Sequence, residues 1–252
     1  MEIYVPTSAK EFSQRKLEEY AKYEKVINEG RKSPIWFMET FLGVKLMDYQ
    51  KWMFMETWNK PFALWLCSRG AGKTTLAAVY LQTKMILIPD YKVYISTNSA
   101  AQSIEVFKKI EDIALQRIPS FKTCTDIFMH EIEKSGSSET GFIHDPSGHH
   151  FRLFNNSELV TLSTNLNAIR GKRGSVLYDE TAWQTAEQMA VTENFINVDT
   201  SFGLGTEKVK HYDPKQMPLQ LLYASSAGDV TFPFFEKYKT FAKKMFMGDK
   251  NY

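Results

Sequence analysis

Lys73, Thr74 and Thr75 stand directly after Cys67-Ser68-Arg69-Gly70-Ala71-Gly72, an order of residue types suited to holding a polyphosphate. A loop of small residues that runs into a helix aims its backbone N–H groups and the helix N-terminus at one anion. Gly70 and Gly72 admit that approach because no Cβ stands in the way. Lys73 then reaches the β- and γ-phosphates, and the Thr74 hydroxyl is the expected Mg²⁺ ligand. Ser68, Arg69, Ala71 and Thr75 complete the cradle, with Arg69 adding a cation inside the loop. The expected cofactors are therefore ATP and Mg²⁺. One position departs from the usual pattern, since Cys67 stands where glycine is the rule.

Three other short sets carry matching chemistry. Asp179-Glu180 closes the apolar run Ser175-Val176-Leu177-Tyr178, so a strand would deliver two carboxylates at its C-terminal end, the edge where open α/β sheets bind ligands. Adjacent strand residues point to opposite faces, which predicts different work for the two. Asp179 is expected in the Mg²⁺ shell, and Glu180 is expected to orient or deprotonate the attacking water. Tyr49-Gln50 lies shortly before the loop, and a glutamine offers the acceptor and donors that read adenine. Ser225-Ser226, after the apolar run Leu219 to Ala224, can set a hydroxyl near the γ-phosphate. Each set has a plainer reading as well, the acidic pair as a helix cap and the glutamine as part of a surface helix.

The elements that must position these residues can be read from periodicity. Phe62 to Leu66 has the length of a buried strand, and Leu76, Val79, Tyr80 and Ile86 recur at helical spacing after the loop. Tyr91 to Thr97 reads as a second strand and Ser99 to Ile118 as a long amphipathic helix, an alternation that predicts a parallel sheet. Upstream, Ser33-Pro34 opens a short helix that Gly43 closes, and Met47 to Trp58 forms another. Phe151 to Phe154 and Leu159 to Leu162, around Asn155-Asn156, predict a hairpin. Ala182 to Phe195 is expected to be helical, Val198 to Pro218 a loop, and Thr231 to Met247 an amphipathic helix. The expected fold class is α/β: a P-loop NTPase with a mainly parallel central sheet flanked by helices. A charged, helix-favouring stretch from Ser8 to Asn28 suggests a helical arm or lid over residues 1–45, ahead of a P-loop ATPase core over 46–252.

Composition sets the remaining bounds. The chain of 252 residues is 43% hydrophobic with a net charge of +2, enough for a packed core but without a global basic field. Contact with nucleic acid would have to come from local clusters such as Lys208, Lys210 and Lys215. Two cysteines, Cys67 and Cys124, make no disulfide framework, which fits a reducing cytosol. Met1 to Lys10 lacks an apolar core, so neither a secretory signal nor a membrane anchor is expected. His144, His149 and His150, with Asp145 nearby, lack a recurring ligand spacing and read as loop histidines.

Taken in order, Tyr49-Gln50, the arginine-containing loop Cys67 to Thr75, Val176-Leu177-Tyr178-Asp179-Glu180 and Ala224-Ser225-Ser226 resemble four motifs of one family. They look like the adenine motif, Walker A, Walker B with its catalytic glutamate, and coupling motif of the ATPase domain of the tailed-bacteriophage large terminase subunit. Phe151 to Thr161, followed by Asn165, Ala168 and Arg170-Gly171, is also similar to the family's segment before Walker B. The resemblance runs from about Met47 to Gly228 and implies an additional-strand, catalytic-glutamate fold. It implies an ATP-hydrolysing motor that packages double-stranded viral DNA into a procapsid. The motor would be a homo-oligomeric ring, a pentamer, in the host cytoplasm and transiently at the procapsid portal vertex, with no membrane involved. Catalysis would rest on Glu180 and Lys73, with an arginine finger either from Arg170 of the neighbouring subunit or from Arg69 in cis. Family members usually carry a C-terminal nuclease domain, for which these residues leave no room. Two alternatives stay open, a helicase-like ATPase and a nucleotide-dependent DNA-binding or scaffold protein with slow or no turnover.

Overall fold

The computed structural model describes residues 26–118, 123–134, 138–145, 147–196 and 219–252. Six strands are formed by short apolar runs bounded by turns: β1 Phe62–Leu66, β2 Lys92–Ser96, β3 His150–Arg152, β4 Glu158–Thr161, β5 Ser175–Asp179 and β6 Leu221–Ser225. They make one sheet in the order β1-β6-β5-β2-β4-β3, parallel throughout except for β3, which pairs antiparallel with β4. The loop strand β1 and the acidic strand β5 are therefore not neighbours, because β6 lies between them.

The period of two along each strand sorts side chains onto two cores. Ala63, Trp65, Val93, Ile95, Leu177 and Leu222 face one side, while Tyr94, Val176, Tyr178, Leu221 and Tyr223 face the other. The first face is covered by α1 Pro34–Phe37 and its π-helical continuation Met38–Leu42, α2 Asp48–Trp58, α3 Lys73–Leu87, α4 Ala100–Ala114 and α5 Ile127–Glu131. The second is covered by α6 Leu166–Ile169, α7 Ala186–Glu193 and α8 Pro233–Phe246. Among the described residues no helix is long and apolar enough to cross a membrane.

The helix that follows the phosphate-type loop is the most enclosed of the described helices, with every residue from Leu76 to Leu87 buried. Its last carbonyls have no partner within the helix and are met by side chains from distant segments. Arg31 donates to Leu87 O at 2.6 Å, Asn155 Nδ2 to Met85 O at 2.8 Å and Ile86 O at 3.2 Å, and Ser157 to Ile88 O at 2.9 Å. The Arg31 cation also complements the negative end of the helix dipole.

One expected helix meets a different arrangement, and other expected features lie outside the described residues. Phe37, Met38, Leu42 and Val44 belong to the same core as α3 and β1. Of the expected arm helix, only Val26 to Asn28 fall among the described residues, within a helical stretch over 26–32; Lys208, Lys210 and Lys215 lie outside them. The single helix expected over Ala182 to Phe195 is three pieces, a 3₁₀ turn Thr181–Trp183, α7, and a second 3₁₀ turn Asn194–Ile196. The break occurs because Thr185 starts α7 afresh, its hydroxyl accepting from Gln188 N.

Candidate nucleotide site

At the C-terminal edge of the sheet, the ends of β1, β6 and β5 bring the expected side chains together. Gly70 and Gly72 adopt φ of 81° and 74°, the left-handed region that favours glycine. A Cβ on Gly70 would meet nothing, so its need is conformational, whereas one on Gly72 would also press on Gln50 Nε2 at 3.0 Å. Gly72 caps α3, and the Leu76 N–H donates to its carbonyl at 2.8 Å. Ser68, Arg69 and Gly70 are exposed on the crest of the loop, while Ala71, Thr74 and Thr75 are half-buried. Cys67 extends the pairing of β1 with β6 through its N–H to Ser225 O at 3.0 Å, and burial raises its thiol pKa.

Lys73 is buried, and its Nζ lies 3.6 Å from Glu180 Oε1. Ser226 donates its hydroxyl to the other oxygen, Glu180 Oε2, at 3.3 Å. Glu180 is the first residue beyond β5 and has φ 50° and ψ 49°, a left-handed conformation that costs a non-glycine residue about 1–3 kcal/mol. That turn changes the expected division of labour by faces. Instead of pointing away from Asp179 as the next strand residue would, Glu180 turns back to Lys73, whose charge also acts on the Asp179 carboxyl.

Asp179 is 5% exposed, and its Oδ1 has no hydrogen-bond partner among the described residues. Burial first, and then the neighbouring Glu180 charge, raise its pKa to about 6. A buried carboxylate oxygen left without a protein partner fits a cation. With the Thr74 hydroxyl at the start of α3, the residues present suit a Mg²⁺ ion that carries its own waters.

Tyr49 and Gln50, on the first turn of α2, lie against the same loop. Tyr49 donates its hydroxyl to Ala71 O at 2.9 Å and Gln50 Nε2 to the same carbonyl at 3.4 Å, while Gln50 Oε1 accepts from Met47 N at 3.1 Å. Reading adenine with that amide requires exchanging the Ala71 contact for the base. Of the two serines, only Ser226 faces Glu180, because the buried Ser225 hydroxyl accepts from Ala182 N at 3.0 Å. Arg170 is exposed at the end of α6, in the segment that enters β5 at Ser175, the end of the strand away from Asp179. Arg69 carries its cation on the crest of the loop, beside the site.

The structure adds residues that the motifs did not mark. Gln184, 2% exposed, donates to Asp179 O at 3.1 Å and Ser96 O at 2.8 Å, and accepts from the Ser96 hydroxyl at 3.1 Å. Gln188, four residues on in the first turn of α7, donates to Thr97 O at 3.0 Å and to the Ser96 hydroxyl at 3.3 Å. The only sequence signal was two glutamines four apart just after the acidic pair.

No protein-family model and no curated protein matches the chain. Solved structures do share its fold. The large terminase of bacteriophage HK97 superposes with a TM-score of 0.62 at 15% identity, over 88% of this chain and 42% of that one. The large terminase of a thermophilic bacteriophage does so in two crystal forms, with TM-scores of 0.52 and 0.50 at 10% and 12% identity, over 80% and 79% of this chain and 44% and 43% of that one. The chain thus has a terminase-like α/β fold and spans about two-fifths of the length of the large terminases it matches.

Proposed function

We propose that the chain is a Mg²⁺-dependent ATPase whose hydrolysis drives double-stranded DNA into a viral procapsid, working as a homo-oligomeric ring at the portal. The observation that carries this reading is the meeting of Lys73, Asp179, Glu180 and Ser226 at the ends of three strands, one of them inserted between the loop strand and the acidic strand. The likeness of fold to the large terminases supports it.

In this mechanism the loop backbone and Lys73 bind the β- and γ-phosphates, and Tyr49 and Gln50 meet the adenine. Thr74 and Asp179 would hold Mg²⁺, which when bound neutralises phosphate charge. Glu180, set between Lys73 and Ser226, orients the attacking water and accepts its proton, the step for which a positioned base typically contributes 10²–10⁴-fold. Arg69 or a neighbour's Arg170 stabilises charge on the transferring group.

The test is ATP turnover measured with and without double-stranded DNA, beside direct nucleotide binding. Glu180→Gln keeps ATP affinity and loses turnover by about 10²-fold or more, because the phosphate cradle stays whole. Lys73→Ala weakens binding as well. Equal turnover in the wild type and Glu180→Gln would remove the base assignment, and turnover indifferent to DNA would remove the motor.

A further inference from the structure

The left-handed turn at Glu180 is held from outside the site. Thr181 donates its hydroxyl to Tyr178 O and Ala224 O, both at 3.2 Å, and the Ala182 N–H meets the Ser225 hydroxyl. These contacts join β5 to β6. On the other side of β5, where its ladder with β2 ends at Ser96 and Tyr178, one amide extends the link: Gln184 spans Asp179 O and Ser96 O with its nitrogen while its oxygen takes the Ser96 hydroxyl. Gln184, Thr181, Ser96 and Ser225 are all buried. The 3₁₀ turn between Glu180 and Gln184 is closed by Trp183 N to Glu180 O and Gln184 N to Thr181 O, each at 3.0 Å. Gln184 therefore fixes the carbonyl that precedes Glu180 and closes the turn that follows it.

We infer that Gln184 is a positioning residue for hydrolysis: by tying the end of β5 to the end of β2 it holds Glu180 in the left-handed conformation that aims its carboxylate at the Lys73 side. The inference rests on the reading of Glu180 as the group that orients water. Without the amide, the peptide before Glu180 loses its donor and the strained turn can relax toward extended backbone, carrying the carboxylate out of place. A misplacement of about 1 Å at a reacting group can cost 10²-fold. Substrate binding should be spared, because the loop and Lys73 lie on β1 and α3.

Gln184→Met keeps the side chain's length and removes its donors. The expected result is an ATP Kd within about twofold of wild type and a kcat lowered roughly 10- to 100-fold. Because the effect passes through Glu180, the same change made in Glu180→Gln should alter residual turnover by less than about twofold, an insensitivity that general loosening of the fold would not give. An unchanged kcat in Gln184→Met, or the full drop persisting beside Glu180→Gln, would overturn the inference. If Gln184→Met does not fold, Ser96→Ala removes the hydroxyl that orients the amide, while Gln188 keeps its shorter bond to Thr97 O. It should lower kcat several-fold and lose that effect in Glu180→Gln, and failure on either count overturns the inference. Wild-type turnover in Glu180→Gln alone would show that the assignment of Glu180 is at fault, and the positioning role falls with it.

Discussion

Asp179 and Glu180 are adjacent carboxylates whose surroundings separate them. The first is buried with an oxygen unpartnered among the described residues and a raised pKa, and the second leans on a lysine and a hydroxyl. Lys84 shows the same physics with the opposite charge and no functional partner. It is enclosed by the rings of Trp58, Tyr80 and Tyr91, its Nζ 3.0 Å from Gln220 Oε1, and burial lowers its pKa to about 7. Between that value and the ordinary 10.5, the unfolded chain holds a proton that the folded chain has shed. Stability from this residue thus climbs as pH rises from about 7 to 10.5, and all of it is withheld below 7. Lys84→Met should remove that climb and stabilise the protein at pH 7 by a few kcal/mol, roughly 2–4. Gln220 Oε1 keeps the Tyr80 hydroxyl at 2.8 Å in the variant, so no acceptor is stranded. Urea unfolding of both proteins from about pH 6 to 9.5 checks it, and parallel pH profiles would show that the lysine is not titrating there.

At the scale of elements, α3 is positioned by its two ends, the glycine loop at its start and borrowed side chains at its finish. Asn155→Ala should leave Met85 O and Ile86 O without their donor and cost about 1–3 kcal/mol, read as a lower urea midpoint at unchanged slope. A loss below about 0.5 kcal/mol would mean that water replaces the amide. The same contrast between start and finish describes what the sequence made legible. The loop, the strands and the hairpin at Asn155-Asn156 were readable because glycine placement and alternation are local. The π-helical turn Met38–Leu42, whose carbonyls meet Thr125, and the left-handed Glu180, which meets Lys73 and Ser226, were not, since both sit against distant segments. The expectation that Asp179 and Glu180 face opposite ways followed strand periodicity one residue too far, because β5 ends at Asp179. The contacts of Gln184 and Ser96 and that of Ser225 with Ala182 were illegible because each depends on which strands become neighbours.

For the whole molecule, the proposed hydrolysis has two candidate sources for its transition-state cation. Arg170 enters β5 from the end away from Asp179, a location suited to a neighbour's site, while Arg69 sits on the chain's own loop. An arginine finger is worth roughly 10³–10⁵ in turnover, or about 4–7 kcal/mol, far above an exposed ion pair. Arg170→Ala and Lys73→Ala should each be inactive. Mixed in equal amounts in a head-to-tail ring, they leave about a quarter of junctions with an intact loop on one side and an intact finger on the other, so ATPase activity should partly return. A mixture that co-assembles and stays dead would move the finger to Arg69.

The insertion of β6 between β1 and β5 also sets a timetable for the growing chain. Phe62 pairs with Leu221 and Leu66 with Ser225, about 160 residues further along, and among the described residues β6 is the only strand that β1 touches. At about 5–20 residues per second, a ribosome completes the loop strand roughly 8–30 s before its partner emerges. During that interval Trp65 and Leu66 belong to an unpaired apolar edge, the kind of surface that recruits chaperones or other nascent chains. The loop proposed to grip ATP is translated early and becomes competent late.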